Sequence, residues 1–239
     1  MKVIIKTFLN IFDYFTQEKI IQLLKKNLTT NKPIVVIDVG SHKGEYINSI
    51  KKNFYINQIY GFEPNEEVFK VLSNKYLAHK NVNLYNLGIS NKSGEVYLNK
   101  NIESSSSSIN ELNIKSKYYY KKFLLLNFLN LKKVSIKVKI NVIKLENFIQ
   151  NNKLYKVDLL KTDTEGFEFN VLKSLGNEIY NVKLIHFEHH FDDMIIKNYN
   201  FSDIHNYLIK KGFVKIFKIK MKFRKSFEYI YHNQNFKYD

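Results

Sequence analysis

Cysteine is absent from the 239 residues, so neither a disulfide nor a thiolate metal site is available, which suits a reducing compartment. Arginine is nearly absent: Arg224 is the sole one, and every other basic residue is lysine. Proteins that read base edges lean on arginine's bidentate fork, so sequence-specific nucleic-acid recognition is disfavoured. No stretch approaches the roughly 20 consecutive apolar residues that a spanning helix needs. Met1 to Phe15 is apolar but interrupted by Lys2, Lys6 and Asp13. It shows neither a clean apolar core nor a small-residue cleavage site, so a signal peptide is not expected and a cytoplasmic setting is.

What the chain has in quantity is lysine. The formal charge is +16, and asparagine, isoleucine, tyrosine and phenylalanine are also abundant. Two readings of the charge stand side by side. One is the codon bias of an AT-rich genome; the other is a surface meant for an anionic partner such as membrane lipid or nucleic acid. The length fits one α/β domain able to bury a full core. Residues 1–30 read as an N-terminal helical segment ahead of a 31–239 domain. Val3, Ile4, Phe8, Ile11, Phe12 and Phe15 recur at helical spacing, and a second helix is expected after Thr16, with Ile20, Ile21, Leu23 and Leu24 as its stripe. Such a segment either caps the domain or lies along a membrane surface.

The stretch from Pro33 to Tyr46 organises the rest. Ile34 to Ile37 is an unbroken β-branched run, as in a strand buried on both faces. It ends at Asp38, turns through Gly40 and Gly44, and enters a helical pattern at Glu45, Ile47, Ile50 and Lys51. Strand, glycine turn and helix bring backbone N–H groups and a positive helix end to a carboxyl strand edge, where open α/β sheets bind ligands. Gln58 to Phe62 reads as a second strand, with a helix over Glu66 to Ala78. Val82 to Leu87 is a third, closing on Gly88, and Gly94 to Leu98 a short extra one.

Periodicity is lost from Ile102 to Leu131, where Ser104 to Ser108 precede a lysine- and tyrosine-rich run; about 100–134 reads as an insertion or lid. Strands follow at Ser135 to Val142, Val157 to Thr162 and Lys183 to Phe187, with helices at Leu145 to Ile149 and Phe167 to Leu175. Ser202 reads as the N-cap of a helix reaching Lys211 and stopped by Gly212. Val214 to Met221 and Phe227 to His232 close the chain as a hairpin. The alternation predicts an α/β fold, a mostly parallel sheet with helices on both faces and a C-terminal antiparallel hairpin.

The turn after the first strand reads Asp38-x-Gly40-x-x-x-Gly44, with an acid where a dinucleotide fingerprint has its first glycine. An acid there repels a pyrophosphate and suits a ligand with a cationic centre. That favours S-adenosyl-L-methionine, which carries a sulfonium and an amino group, over NAD. Glu63, at the end of the second strand, stands where a carboxylate accepts both ribose hydroxyls. A nucleoside site is therefore expected across two neighbouring strand tips.

Four segments, Asp38-Val-Gly-Ser-His-Lys-Gly-Glu-Tyr46, Gly61-Phe-Glu-Pro-Asn65, Asn86-Leu-Gly-Ile-Ser90 with a following Gly94, and Leu160-Lys-Thr-Asp-Thr-Glu-Gly-Phe-Glu168, together resemble the FkbM family of S-adenosylmethionine-dependent methyltransferases. The resemblance spans Ile34 to His190. It implies a class I methyltransferase (Rossmann-like) fold, a seven-stranded sheet in the order 3-2-1-4-5-7-6, and methyl transfer to a hydroxyl oxygen. It also implies a cofactor-binding set. Asp38, Gly40 and Gly44 line the methionine end, Glu63 takes the ribose, and Asn86 and Gly88 lie near the adenine. Ser41, Glu45 and Pro64 complete it.

Methyl transfer from a sulfonium is an in-line displacement, in which the protein holds an oxygen about 3 Å from the methyl carbon. A hydroxyl is a weak nucleophile, so a general base or a divalent metal helps. Asp163 and Glu165, at the end of a strand expected beside the central one, are the catalytic candidates, as paired proton acceptors or metal ligands. His189 is the third, from the run Glu188-His189-His190 that ends the next strand. The structural alternative has Asp163 capping the helix near Phe167 and Glu165 serving its first-turn N–H groups. Lys161 either anchors an anionic group or pairs with one of these acids; Glu168 reads as structural and His42 as a turn residue. By analogy the acceptor is a small molecule or glycan, with a polysaccharide precursor as the leading expectation. The rivals are RNA methylation, drawn from the charge, and a membrane-peripheral binding protein that keeps the crevice without turnover.

Overall fold

The computed structural model describes residues 2–28, 31–100, 107–111, 113, 115–118 and 136–237, with side chains from residue 12 onward. Ser104 to Ser106, Tyr119, Tyr120 and Phe123 to Leu131 of the insertion lie outside the described residues, as do the side chains of Val3, Ile4, Phe8 and Ile11. The chain runs α1 (Lys2–Asn27), β1 (Ile34–Val39), α2 (Glu45–Asn53), β2 (Ile56–Phe62), α3 (Glu66–Tyr76), β3 (Val82–Tyr85), β4 (Gly88–Ile89) and β5 (Gly94–Lys100). It continues through β6 (Ile136–Ile143), α4 (Leu145–Asn151), β7 (Val157–Thr162), α5 (Glu168–Lys173), a 3-10 turn (Glu178–Asn181), β8 (Val182–His190), α6 (Phe201–Lys210), β9 (Phe213–Lys220) and β10 (Ser226–Asn233).

Seven strands form one sheet in the order β3-β2-β1-β7-β8-β10-β9, the expected 3-2-1-4-5-7-6 once the small strands are set aside. The first five are parallel, and β10 lies antiparallel between β8 and β9. β1 sends Ile34 and Val36 to one face and Ile37 and Val39 to the other. On the first face, Leu159 and Leu184 join them under Ile20, Ile21 and Leu24 of α1, Ile47 and Ile50 of α2 and Leu72 of α3. On the second, Leu160, Ile185 and Phe187 meet α4, α5 and α6 through Phe148, Leu172 and Leu208. Strands apolar on both sides need helices on both sides, and here they have them. A fully buried leucine or isoleucine contributes about 1.5–3 kcal/mol, so the lower half of α1 belongs to the core. Among the described residues no helix is long and apolar enough to cross a membrane.

Three local expectations change. One helix runs from Lys2 to Asn27 where two were expected. No break falls at Thr16: its hydroxyl donates to the Phe12 carbonyl one turn back, at 3.1 Å, so the side chain is absorbed within the helix. The third strand leaves the main sheet at Tyr85, and Gly88–Ile89 instead joins a three-stranded sheet ordered β4-β6-β5. A Cβ on Gly88 would lie 3.0 Å from Val142, so glycine lets β4 close on β6. Finally, α6 is capped by Asn200, not Ser202. The Asn200 side chain accepts from the N–H groups of Ser202 and Asp203, and Asp203 accepts in return from the Asn200 N–H.

Candidate active site

The carboxyl ends of β1, β2, β7 and β8 open on one edge of the main sheet, and the β9–β10 turn shares it because Ser226 pairs with His190. The register sets Lys161 between Asp38 and His186. Two residues earlier on the same strands, Val36, Leu159 and Leu184 face the core under α1 and α2. By the two-residue pleat, Asp38, Lys161 and His186 face the same way, one step nearer the edge. Ionisable side chains therefore cap an apolar row.

Gly40 has φ +84, and a Cβ there would lie 2.1 Å from the Asp163 carbonyl oxygen. The Asp163 N–H donates to the Val39 carbonyl at 3.0 Å, so the turns after β1 and β7 touch backbone to backbone. Gly44 answers to a different neighbour. A Cβ there would strike the Tyr76 ring at 2.5 Å, and the Tyr76 hydroxyl donates to the Gly44 carbonyl at 2.8 Å. Packing against α3 thus accounts for that glycine.

Asp38 is 1% exposed, and its Oδ2 has no hydrogen-bond partner among the described residues. Burial pushes its carboxyl up to about 7, against the pull of Ser41 and Lys161. Glu63 is also buried. Its Oε2 accepts from the His42 N–H at 3.0 Å and its Oε1 from the Asn65 N–H at 2.8 Å, tying the turn after β1 to the turn after β2. The Asn86 amide donates to the carbonyls of Glu63 and Pro64 at 2.9 and 3.2 Å. The Ser41 hydroxyl donates to the Asp38 carbonyl at 2.9 Å. Glu45 is exposed, 3.3 Å from His42 Nδ1, and Gly88 lies under Pro64 in the small sheet. A buried carboxylate with an unanswered oxygen is costly until a cation or donor completes it. Asp38 therefore fits a ligand bearing a positive charge. Glu63, with lone pairs left after two N–H bonds, fits a pair of hydroxyls.

Next to this pocket lies a buried polar network. Lys161 Nζ stands 3.5 Å from Glu228 Oε2 and 3.6 Å from Asp163 Oδ2. Glu228 Oε2 is also 2.9 Å from His186 Nε2, and His186 Nδ1 is 3.0 Å from the Tyr46 hydroxyl. Burial disfavours the Lys161 cation, but Glu228, Asp163 and Glu188 outweigh it and raise the group above the usual lysine range. Burial equally opposes the Glu228 carboxylate, yet Lys161 and His186 bring it down to about 2. Burial and the Lys161 charge lower His186, leaving a neutral ring whose neighbours imply a proton on Nε2. Glu188 faces Glu228 directly across β8 and β10. Burial and the Asp163 carboxylate push it up to about 8, so it carries a proton at neutral pH. His190 lies 3.4 Å from Glu165, 3.8 Å from Glu188 and 3.6 Å from Asp192. Burial disfavours its charge too, but Asp192, Glu165 and Glu188 raise it to about 10.

Asp163 and Glu165 share this edge but do not point as a pair. Asp163 turns to Lys161, whereas Glu165, left-handed at φ 50, turns to His190. The start of α5 is served by neither. Glu168 Oε1 accepts from the Thr164 N–H, the Thr164 hydroxyl and the Gly166 N–H, and Tyr199 donates to its other oxygen at 2.8 Å. Asp163 keeps 38% of its side chain exposed at the crevice.

The structure does not bring His189 to this group. Its ring packs among Phe191, Tyr199 and Phe201 on the opposite face of β8, and burial lowers it to about 3. The pleat decides this, since residues 186, 188 and 190 share one face and 187 and 189 the other. His190 is the histidine beside Glu165. Glu228 and Tyr46 were not foreseen. For Glu228 the available signal was an acid alternating with Ile230 in an apolar strand; Tyr46 offered none. Among the described residues no three His, Asp, Glu or Cys side chains converge as ligands for a metal ion.

No curated protein matches the chain. Among solved structures, an FkbM methyltransferase from Methylobacillus flagellatus KT superposes with a TM-score of 0.52 at 13% identity, over 83% of this chain and 44% of that one. The present chain thus spans less than half the length of that protein. The magnesium protoporphyrin IX methyltransferase of Synechocystis PCC 6803, solved with bound SAM, gives 0.51 at 11% identity, over 94% and 81%. A putative tRNA (m1A22) methyltransferase from Streptococcus pneumoniae gives 0.50 at 11%, over 92% and 72%. At such identities the likeness establishes the class I methyltransferase fold alone. The family model described as the Methyltransferase FkbM domain matches residues 38–215, from the buried acid at the tip of β1 into β9. With that match covering most of the molecule and the tips of β1, β2, β7 and β8, the chain belongs to the FkbM methyltransferase family.

Proposed function

We propose that the chain is an S-adenosyl-L-methionine-dependent O-methyltransferase acting on a hydroxyl of a glycan or polysaccharide precursor. The observation that carries the cofactor reading is Asp38, a buried acid with an unanswered oxygen at the tip of β1, beside Glu63 at the tip of β2. The Synechocystis structure with bound SAM supports it by fold. S-adenosyl-L-methionine supplies an electrophilic methyl carbon when bound. Asp38 answers its positive charge, Glu63 accepts from its ribose hydroxyls, and Asn86 holds the Glu63–Pro64 turn in place.

Asp163 is the group placed for the proton. Its backbone abuts Gly40, its side chain reaches the crevice, and Lys161 fixes its direction. Asp163 would take the proton of the acceptor hydroxyl, and the bound cofactor would supply the methyl group, its S–CH3 bond breaking to leave the neutral thioether. Protonated Glu188 and the Glu165–His190 pair line the same edge as partners for further hydroxyls. The acids of this crevice decide between acceptors. Asp163, the acid exposed at the crevice, disfavours a phosphate at the acceptor position, whereas a polyhydroxylated acceptor meets donors and acceptors of hydrogen bonds.

Incubation with methyl-labelled cofactor and separate glycan, lipid and RNA extracts tests the acceptor. Label in glycan is expected, and label in RNA alone overturns that choice. Calorimetry that detects no uptake of S-adenosyl-L-methionine overturns the cofactor reading. Asp163→Asn is expected to cut turnover about 10²–10⁴-fold with cofactor affinity intact. Unchanged turnover removes Asp163 from the mechanism.

A further inference from the structure

The edge that carries the acids also carries an aromatic ridge that the chemistry does not use. α1 reaches this edge at Asp13, whose carboxylate accepts from Arg224 in the β9–β10 turn at 2.7 Å. Phe12 meets Phe223 of the same turn edge-on, with ring centroids 5.3 Å apart. Phe15 follows Phe12 by one helical turn, and Tyr14 meets Phe15 at 6.0 Å. Phe223, Tyr14 and Phe15 leave 66%, 61% and 59% of their surface exposed. Single exposed rings are ordinary, but a contiguous row marks a surface that meets something.

The turn is built to hold its ring outward. Phe223 is left-handed at φ 62, a conformation costly for a bulky side chain. The surrounding backbone enforces it: the Phe191 N–H donates to the Lys225 carbonyl at 2.7 Å, and the Met221 N–H to the Ser226 carbonyl at 3.0 Å. Lys222 and Lys225 flank the ring and are exposed, as is Lys19 on α1. Beyond Asp13 the helix continues to Lys2, a rise of about 16 Å. The sequence of that part is apolar with Lys2 and Lys6 at intervals.

Exposed rings among lysines, with the sole arginine already bound to Asp13, match the headgroup region of an anionic bilayer. We propose that this edge docks on an anionic lipid surface, with Phe15, Tyr14 and Phe223 entering the headgroups and Lys222 and Lys225 facing acidic lipids. The methylated hydroxyl then belongs to a membrane-borne acceptor; that clause rests on the methyl-transfer reading, and the docking does not.

The test is flotation of the full chain with vesicles of phosphatidylcholine alone and of phosphatidylcholine with phosphatidylglycerol. Binding is expected only to the mixed vesicles, weakened by salt, and about 25-fold weaker in the double variant Lys222→Gln, Lys225→Gln, at about five-fold per lysine. Phe223→Gly removes the ring and places glycine where the backbone is left-handed. It should lose vesicle binding while thermal stability holds or rises. Absence of wild-type flotation with mixed vesicles at low salt overturns the proposal, as does flotation unchanged in Phe223→Gly combined with Phe15→Ser. So does a dimer in solution, or retention on RNA, that Phe223→Gly abolishes. Cofactor uptake measured by calorimetry on the same samples separates a failure of docking from a failure of the methyl-transfer reading.

Discussion

Asp38 shows how one residue's surroundings become a binding property. Burial raises its carboxyl to about 7, and a cationic ligand binds the carboxylate in preference to the acid. The sign follows: as pH falls below that value, the carboxylate fraction drops about tenfold per unit and affinity drops with it. Calorimetry should therefore find S-adenosyl-L-methionine affinity level above about pH 8 and weakening toward tenfold per unit below about pH 6. Asp38→Asn should bind about tenfold or more weakly at high pH, with a flat profile. A wild-type profile equally flat would show that Asp38 does not face the charge. This residue was legible because an acid in a glycine turn is a local pattern. His189 was not, because choosing between it and His190 depends on a pleat phase that a one-residue slip reverses.

Elements show the same division between local and distant causes. The apolar runs of β1, β7 and β8 declared buried strands, and the order of the sheet followed from the resemblance. Ser202 misled because Asn200, two residues earlier, is as good a capping residue and takes the role, and the break expected at Thr16 fails because its hydroxyl bonds within the helix. The insertion was illegible for another reason: its described contacts are far off in sequence. The Ser108 hydroxyl donates to the Glu165 carbonyl at 2.7 Å, the Asn110 amide donates to the Gly166 carbonyl, and Asn99 of β5 holds the Asn110 carbonyl at 3.0 Å. The turn they grip is left-handed at both residues, φ 50 at Glu165 and φ 92 at Gly166. This segment therefore sets where Glu165 stands. Ser108→Ala loses two bonds, the one to the Glu165 carbonyl and the one its oxygen accepts from the Asn110 N–H, about 1 kcal/mol each, so the melting temperature should fall by about 4–8 °C and kcat should fall as Glu165 is held less firmly, while cofactor affinity stays close to wild type. Steady-state kinetics beside calorimetry would check this, and an unaltered kcat would reduce the clamp to a packing contact.

Across the whole molecule, charge is distributed against its own sum. The chain carries +16, yet the crevice gathers Asp38, Glu63, Asp163, Glu165 and Glu228 around Lys161 and His190. Lysines elsewhere on the surface set the field felt at a distance, while under the proposed function the acids set what is tolerated at the acceptor oxygen. A neutral glycan offered free in solution, with no lipid present, is drawn by neither, so its turnover should change by less than about twofold between 50 and 200 mM salt, the range over which nucleic-acid binding through six to ten phosphates weakens about 10³–10⁵-fold. Measuring kcat/KM on the labelled acceptor across that range separates the two. A steep fall would mean that the lysines, and not the acids, choose the substrate.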